Sequence, residues 1–188
     1  IHDFPDFLFS SDADMINNDG VFLNERLIRC LLYADDLILF SRSAQGLQYQ
    51  LDCLKKYCDT WLLTVNVLKT ECMYMKIKKS PLILPPPLIF DDKPLSYVQS
   101  VFKYVGVLFS DDGSFKYHED AVVEKARRAM FSCFSRATRL SKSCPLFIKS
   151  TLFKAYVLPV MSYACEAFPY SKGTINSLDN IIVHYCRW

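Results

Sequence analysis

Apolar positions change their spacing along this chain, and each change predicts an element. Leu27 to Phe40 reads as two apolar runs of strand length with Asp35 and Asp36 between them, a pattern that predicts a buried hairpin. From Ser43 the period lengthens: Leu47, Leu51, Leu54, Cys58 and Trp61 line one helical face, with Ser43 placed to cap its start. Leu62 to Val67 reads as the start of a strand and Cys72 to Ile77 as a second strand. Pro81, Pro85 to Pro87 and Pro94 then exclude helix interior and central strand, leaving a linker or an edge.

Val101 to Phe109 predicts a strand, or a strand pair turning at Gly106. The remainder is predicted helical. His118 to Leu140 carries Val122, Ala126, Ala129, Met130 and Phe134 on one face, and Pro145 is placed to open a second helix carrying Phe147, Ile148, Leu152, Phe153 and Tyr156. A final helix is expected from Ile175. Ahead of the hairpin, residues 1 to 26 predict a loop rich in Asp and Asn followed by a strand at Val21-Phe22-Leu23.

Composition narrows the class. The 188 residues are 51% hydrophobic with only 5 Gly, so disorder and collagen-like repeats are excluded and one or two cores can form. No apolar run reaches the roughly 18 residues that span a bilayer, and the first residues lack the basic and apolar stretches of a secretory signal. The expectation is a soluble intracellular protein, nuclear or cytoplasmic, without a membrane partner. Its start on Ile1 fits a piece of a longer reading frame. Eight cysteines form no CxxC pair and the three histidines never fall at ligand spacing, which argues for reduced, buried thiols and against zinc.

The net charge of +2 conceals an asymmetry. Residues 1 to 80 carry 9 basic and 11 acidic side chains, whereas residues 116 to 188 carry 11 and 5. Within residues 121 to 154 eight basic side chains face one acid, Glu124. Such a cluster is either a solvated helix face or a surface for a polyanion.

An Asp-Asp pair between apolar strands also has two readings. The hairpin tip faces water, or the carboxylates take up a divalent cation, since Mg²⁺ accepts one or two carboxylates completed by water and phosphate oxygens. Leu31-Leu32-Tyr33-Ala34-Asp35-Asp36-Leu37-Ile38-Leu39-Phe40 resembles the Tyr-x-Asp-Asp hairpin of reverse transcriptases of the non-LTR, LINE-type branch. The helix ending Tyr57-Cys58-Asp59-Thr60-Trp61, the run Leu63 to Glu71 and the run Phe102 to Val107 resemble that family's successive palm blocks in order. Residues 125 to 168 resemble its thumb and the region beyond.

The resemblance implies an α+β fold: a partial polymerase palm, an antiparallel sheet with a packed helix, over residues 1–110, then a helical thumb over residues 111–188. It implies RNA-directed DNA synthesis by two-metal nucleotidyl transfer, with two Mg²⁺ ions in the complete enzyme, an RNA template, a DNA primer and dNTPs. By position, Asp35 matches the metal-binding aspartate, Asp36 stands beside it in a lesser role, and Tyr33 matches the aromatic near the primer end. Lys69 matches a lysine near the incoming nucleotide that is placed to protonate the leaving pyrophosphate. Phe102, Tyr104 and Gly106 match the strand pair that grips the primer, and Lys125, Arg127, Arg128, Arg136 and Arg139 would face duplex phosphates.

The family's fingers, its other metal-binding aspartate and its Gln-Gly block would lie upstream of Ile1, in a missing segment of the same polyprotein. Asp3, Asp6, Asp12, Asp14 and Asp19 do not match that aspartate's strand context. The expectation is therefore a fragment inactive as an isolated chain. The alternative is a non-catalytic remnant that holds nucleic acid through its basic helices, and a third reading is an unrelated domain with a solvated Asp-Asp turn.

Overall fold

A computed structural model describes residues 3–10, 19–75, 86–98, 100–140 and 144–188, without the side chains of 9, 10 and 137–140. The chain divides into two compact units, one of Ile1–Tyr74 with Lys79–Gln99 and one of Met75–Lys78 with Ser100–Trp188.

The first unit is organised by a single long helix. Its elements are α1 (Phe4–Ser10), the strands β1 (Val21–Leu23), β2 (Arg26–Ile28), β3 (Cys30–Tyr33) and β4 (Asp36–Leu39), and helix α2 (Ala44–Trp61). A 3-10 turn follows at Val67–Lys69, then β5 (Glu71–Met73), β6 (Ile89–Phe90), β7 (Lys93–Pro94) and β8 (Ser96–Val98). The apolar face of α2 buries Leu51, Leu54 and Cys58 as its spacing requires, together with Cys53 and Tyr57. Against it lie Phe4 and Leu8 of α1, the inner residues Cys30, Leu37 and Leu39 of the β3–β4 hairpin, and Leu88, Phe90 and Leu95. Phe4 and Phe7 both meet the Tyr57 ring edge-on at 5.2 and 5.4 Å, and the Tyr57 hydroxyl donates to Asp3. Gln48 joins β6 to the helix, donating to the Ile89 carbonyl at 2.8 Å and accepting from its N–H at 2.9 Å.

Where α2 begins is decided by a carboxylate 24 residues upstream of its cap. Ser43 is the N-cap: its Oγ accepts from Gly46 N–H at 3.0 Å and donates to Asp19 Oδ2 at 2.6 Å. Asp19 also accepts from Ser41 Oγ at 2.7 Å and from Arg42 N–H at 2.6 Å. Partial burial works against the Asp19 charge, but these donors outweigh it and hold the carboxyl below its usual 3.8. Gly46 makes the approach feasible, since a Cβ there would lie 1.6 Å from Asp19 Oδ2. At the other end Leu62 turns left-handed (φ 55) so that Leu63 N–H reaches the Cys58 carbonyl at 2.8 Å.

The second unit packs helix on helix. After the hairpin β9 (Val101–Tyr104) and β10 (Val107–Ser110) come α3 (Lys116–Leu140), α4 (Leu146–Leu152), a π-helical turn at Phe153–Val157, α5 (Leu158–Met161) and α6 (Lys172–Arg187). Val122, Ala126, Met130 and Cys133 of α3 bury against Val157, Met161, Leu178, Ile181 and Tyr185. Glu119 of α3 caps α6, accepting from Ser171 N–H (3.1 Å), Ser171 Oγ (2.6 Å) and Thr174 Oγ1 (2.5 Å).

The mixed α+β class holds, and several expectations are corrected. Residues 4–10 form a helix where a loop is expected, because Phe4 and Leu8, a helical turn apart, both seat on α2. The β3–β4 hairpin is half-exposed, not buried, since it stands as its own two-stranded sheet. Five two-stranded sheets occur among the described residues, and one of them, β5 with β8, is parallel. Leu62 to Val67 forms no strand, the chain having been reversed by the α2 C-cap, and Trp61 is 59% exposed beside it. Cys72 to Ile77 shortens to β5, with Ile77 outside the described residues. Pro145 occupies the N-cap of α4 and not its first turn, and α6 begins at Lys172 because Ser171 caps it there. Cys165 and Cys186 are exposed, unlike the buried Cys53, Cys58, Cys72 and Cys133.

Replacing Asp19 by Ala removes three hydrogen bonds from one cap, with an expected loss of about 2 kcal/mol. Gly46→Ala should cost at least as much by displacing the same carboxylate. Urea denaturation followed by far-UV circular dichroism measures both, and an unchanged midpoint in either variant would remove Asp19 from its capping role.

Candidate active site and nucleic-acid interface

The candidate catalytic carboxylates sit at the tip of β3–β4. Pairing of Tyr33 with Asp36 and of Leu32 with Leu37 leaves Ala34 and Asp35 as a two-residue turn. Ala34 takes φ 54, a conformation that favours Gly and costs an L-residue roughly 1 kcal/mol. Strand alternation sends Cys30, Leu37 and Leu39 toward α2, so Leu31, Tyr33, Asp36 and Ile38 share the opposite face. Tyr33 is 61% exposed, and Asp35 and Asp36 are both exposed.

Two adjacent exposed carboxylates on a tight turn are a donor set that Mg²⁺ accepts, with water and substrate oxygens completing its shell. Among the described residues no group of three or more His, Cys, Asp or Glu is arranged to hold a metal ion. Lys69 ends the 3-10 turn on the surface and pairs with neither Asp35 nor Asp36. The structure therefore does not bring the three candidate catalytic residues into contact. Of the acids left unassigned by pattern, Asp3 and Asp19 are occupied with Tyr57 and the α2 cap, while Asp12 and Asp14 lie outside the described residues.

The second unit carries the other candidates. In β9–β10, Phe102 lies opposite Phe109 and Tyr104 opposite Val107, all half-buried. The turn is Val105-Gly106, both left-handed (φ 43 and 81). Tyr163, a residue that pattern reading does not single out, donates from its hydroxyl to the Val105 carbonyl at 2.5 Å. Its ring also explains Gly106, where a Cβ would stand 2.8 Å from the Tyr163 hydroxyl. Tyr104, Val107 and Phe109 share an open cleft with Pro159 and Tyr163. Because these partners lie 50 or more positions away in the chain, no local signal could have found them.

His118 ties the strand pair to α3. Only 1% exposed, it accepts from Leu108 N–H through Nδ1 at 3.3 Å and meets Phe168 edge-on at 5.1 Å. Accepting at Nδ1 requires the neutral Nε2–H tautomer, and burial pushes the imidazole below its usual 6.5, helped by the Lys125 charge.

Among the basic candidates, Lys125, Arg127, Arg128 and Arg136 are exposed on α3, whose backbone includes Arg139 with its side chain outside the described residues. At about 100° per residue, Lys125, Arg128 and Arg136 fall within roughly 80° of arc, and Arg127 lies apart from them. Glu124 meets Arg128 at 3.0 Å and Arg127 at 3.8 Å, exposed contacts of little energy. Neither Lys125 nor Arg136 pairs with an acid among the described residues. Compared with known proteins, the chain matches no family model, no curated protein and no solved structure.

The state of His118 sets a pH dependence. Its folded pKa is below its unfolded value, so the unfolded chain binds the proton first and stability falls as pH drops below about 6.5. His118→Phe should be less stable at pH 8, where it leaves Leu108 N–H without its acceptor, and should show a flatter stability profile between pH 6.5 and 5. Parallel slopes for the two proteins in thermal melts across that range would contradict the buried neutral imidazole.

Proposed function

We propose that this chain is the C-terminal palm and thumb portion of a non-LTR reverse transcriptase, built for RNA-directed DNA synthesis and inactive by itself. The observation that carries the proposal is the Tyr33-Ala34-Asp35-Asp36 hairpin: a two-residue turn, anchored on α2 by its inner face, that leaves both carboxylates at an exposed tip. A phosphoryl-transfer site needs carboxylates held by rigid backbone and open to substrate, and the strained Ala34 turn supplies both. Asp35, with Asp36 beside it, would hold Mg²⁺, which when bound supplies Lewis-acid stabilisation of the reacting phosphate oxygens. Tyr33, on the same face as Asp36, would border the primer end. Lys69 would hold the proton that passes to the leaving pyrophosphate. A second metal-binding aspartate and the fingers would have to come from residues outside this chain.

Primer extension on an RNA template with Mg²⁺ tests the proposal. The chain alone should give no product. The chain expressed with the coding sequence 5′ of Ile1 should extend the primer, and Asp35→Asn should abolish that extension by at least about 10³-fold. Extension that survives Asp35→Asn, or none from the longer product, would remove the assignment.

A second reading, nucleic-acid binding without chemistry, is favoured by one observation: Lys125 and Arg136 have no acidic partner among the described residues of a segment with eight basic side chains and one acid. It predicts affinity for duplex that falls steeply with salt and ignores Asp35→Asn. Joint replacement of Arg127, Arg128, Arg136 and Arg139 by Gln should flatten the salt dependence, by up to about 0.9 in the log–log slope for each phosphate that is no longer neutralised. Fluorescence anisotropy across a salt series reads it, and an unaltered slope would eliminate this reading.

A further inference from the structure

Beside the basic edge of α3 stands an aromatic side chain that the duplex-gripping role does not use. Tyr156 belongs to the π-helical turn Phe153–Val157, in which Val157 is fully buried and fixes the backbone, while Tyr156 itself is 48% exposed. Over its ring, 4.8 Å from the centroid, lies the guanidinium of Arg136. This is a cation–π pair at the surface, formed by an arginine with no carboxylate partner among the described residues. π-Helical turns tend to mark functional positions, and here the wider turn carries the exposed ring next to the buried Val157. Along α3, Arg128 and Lys125 follow Arg136 on the same arc, about 12 and 16 Å away at 1.5 Å per residue. That span covers several consecutive phosphates of an extended strand.

A flat exposed ring, a planar cation against it and a row of exposed basic side chains, of which only Arg128 has an acidic neighbour among the described residues, are the parts from which single-stranded nucleic acid sites are made. Bases stack on the aromatic or guanidinium plane while the charges follow the backbone, with no need to read sequence. A duplex would use the charges but could offer the ring nothing, its bases being stacked on one another. We infer that Tyr156 and Arg136 form a stacking platform for an unpaired base of a single-stranded nucleic acid whose phosphates run along Arg128 and Lys125. The inference rests on the nucleic-acid-binding reading of α3 and adds to it both a strand preference and a residue, Tyr156, outside the basic set.

The test uses the full chain and labelled 12-nucleotide strands, one RNA and one DNA of mixed sequence, alongside the DNA duplex of the same sequence. Tyr156→Leu keeps apolar bulk at the turn, and Tyr156→Phe keeps the ring. The leucine variant should bind either single strand about 5- to 100-fold more weakly and the duplex within about twofold of the parent, with the phenylalanine variant restoring single-strand binding. A 2-aminopurine placed in the strand should be quenched by the parent and by Tyr156→Phe but not by Tyr156→Leu. Equal losses on strand and duplex, or no loss on the strand, would overturn the platform. Loss of all binding on removal of the arginines, with none on Tyr156→Leu, would sink this inference and leave the reading of α3 intact.

Discussion

The first unit depends on how one carboxylate is satisfied. Asp19 gathers donors from Ser41, Arg42 and Ser43 at the point where the chain leaves β4 and starts α2. A negative charge at a helix N-terminus is favourable in itself, and here it also ties together the three residues that join the hairpin to the helix. Beyond that junction Leu51 and Leu54 of α2 share one core with Cys30, Leu37 and Leu39 of the hairpin. The hairpin's other face, with Tyr33 and Asp36, is then turned to solvent as a consequence. Gly46 is required because the carboxylate occupies the space a side chain would need.

The second unit uses the same device at different places. Glu119 holds the start of α6 through Ser171 and Thr174, His118 holds β10 through Leu108 N–H, and Tyr163 holds the β9–β10 turn through the Val105 carbonyl. Each is a polar side chain from a helix or helix end satisfying a backbone group or a cap on another element, where a lone apolar contact would leave register open. Around them the core of Val122, Ala126, Val157 and Ile181 supplies burial without direction.

Charge is partitioned between the units as segment counting indicates. Carboxylates dominate the first and sit exposed at a rigid tip, and basic side chains dominate the second and line α3. Exposure keeps the Asp35–Asp36 pair tolerable, because two adjacent carboxylates in a dry interior would each have to shed charge. The same exposure makes Glu124 a weak restraint on its two arginines. The chemistry available to each unit thus follows from side chains that folding leaves in water.

Much of this was legible locally. The period of Leu47 to Cys58, the cap at Ser43 and a hairpin around the acid pair follow from side-chain spacing and backbone preference, which act over a few residues, although the turn falls at Ala34-Asp35 and Asp36 joins β4; of the two readings of Val101 to Phe109 the strand pair is the one that forms. Other features depend on partners far along the chain. That residues 4–10 coil into a helix, that β5 pairs in parallel with β8, that Leu62 to Val67 stays out of a sheet and that Lys69 makes no ion pair with Asp35 or Asp36 were settled by which surfaces met. Asp19 on the α2 cap, Tyr163 on the turn and Tyr156 under Arg136 belong to the same class. Sequence by itself determined the period of the long helices and the sign of charge on each segment, because those are properties of neighbouring residues. Tertiary structure alone decided which polar groups each element could satisfy and which it left exposed, because hydrogen bonding and burial depend on distance in space.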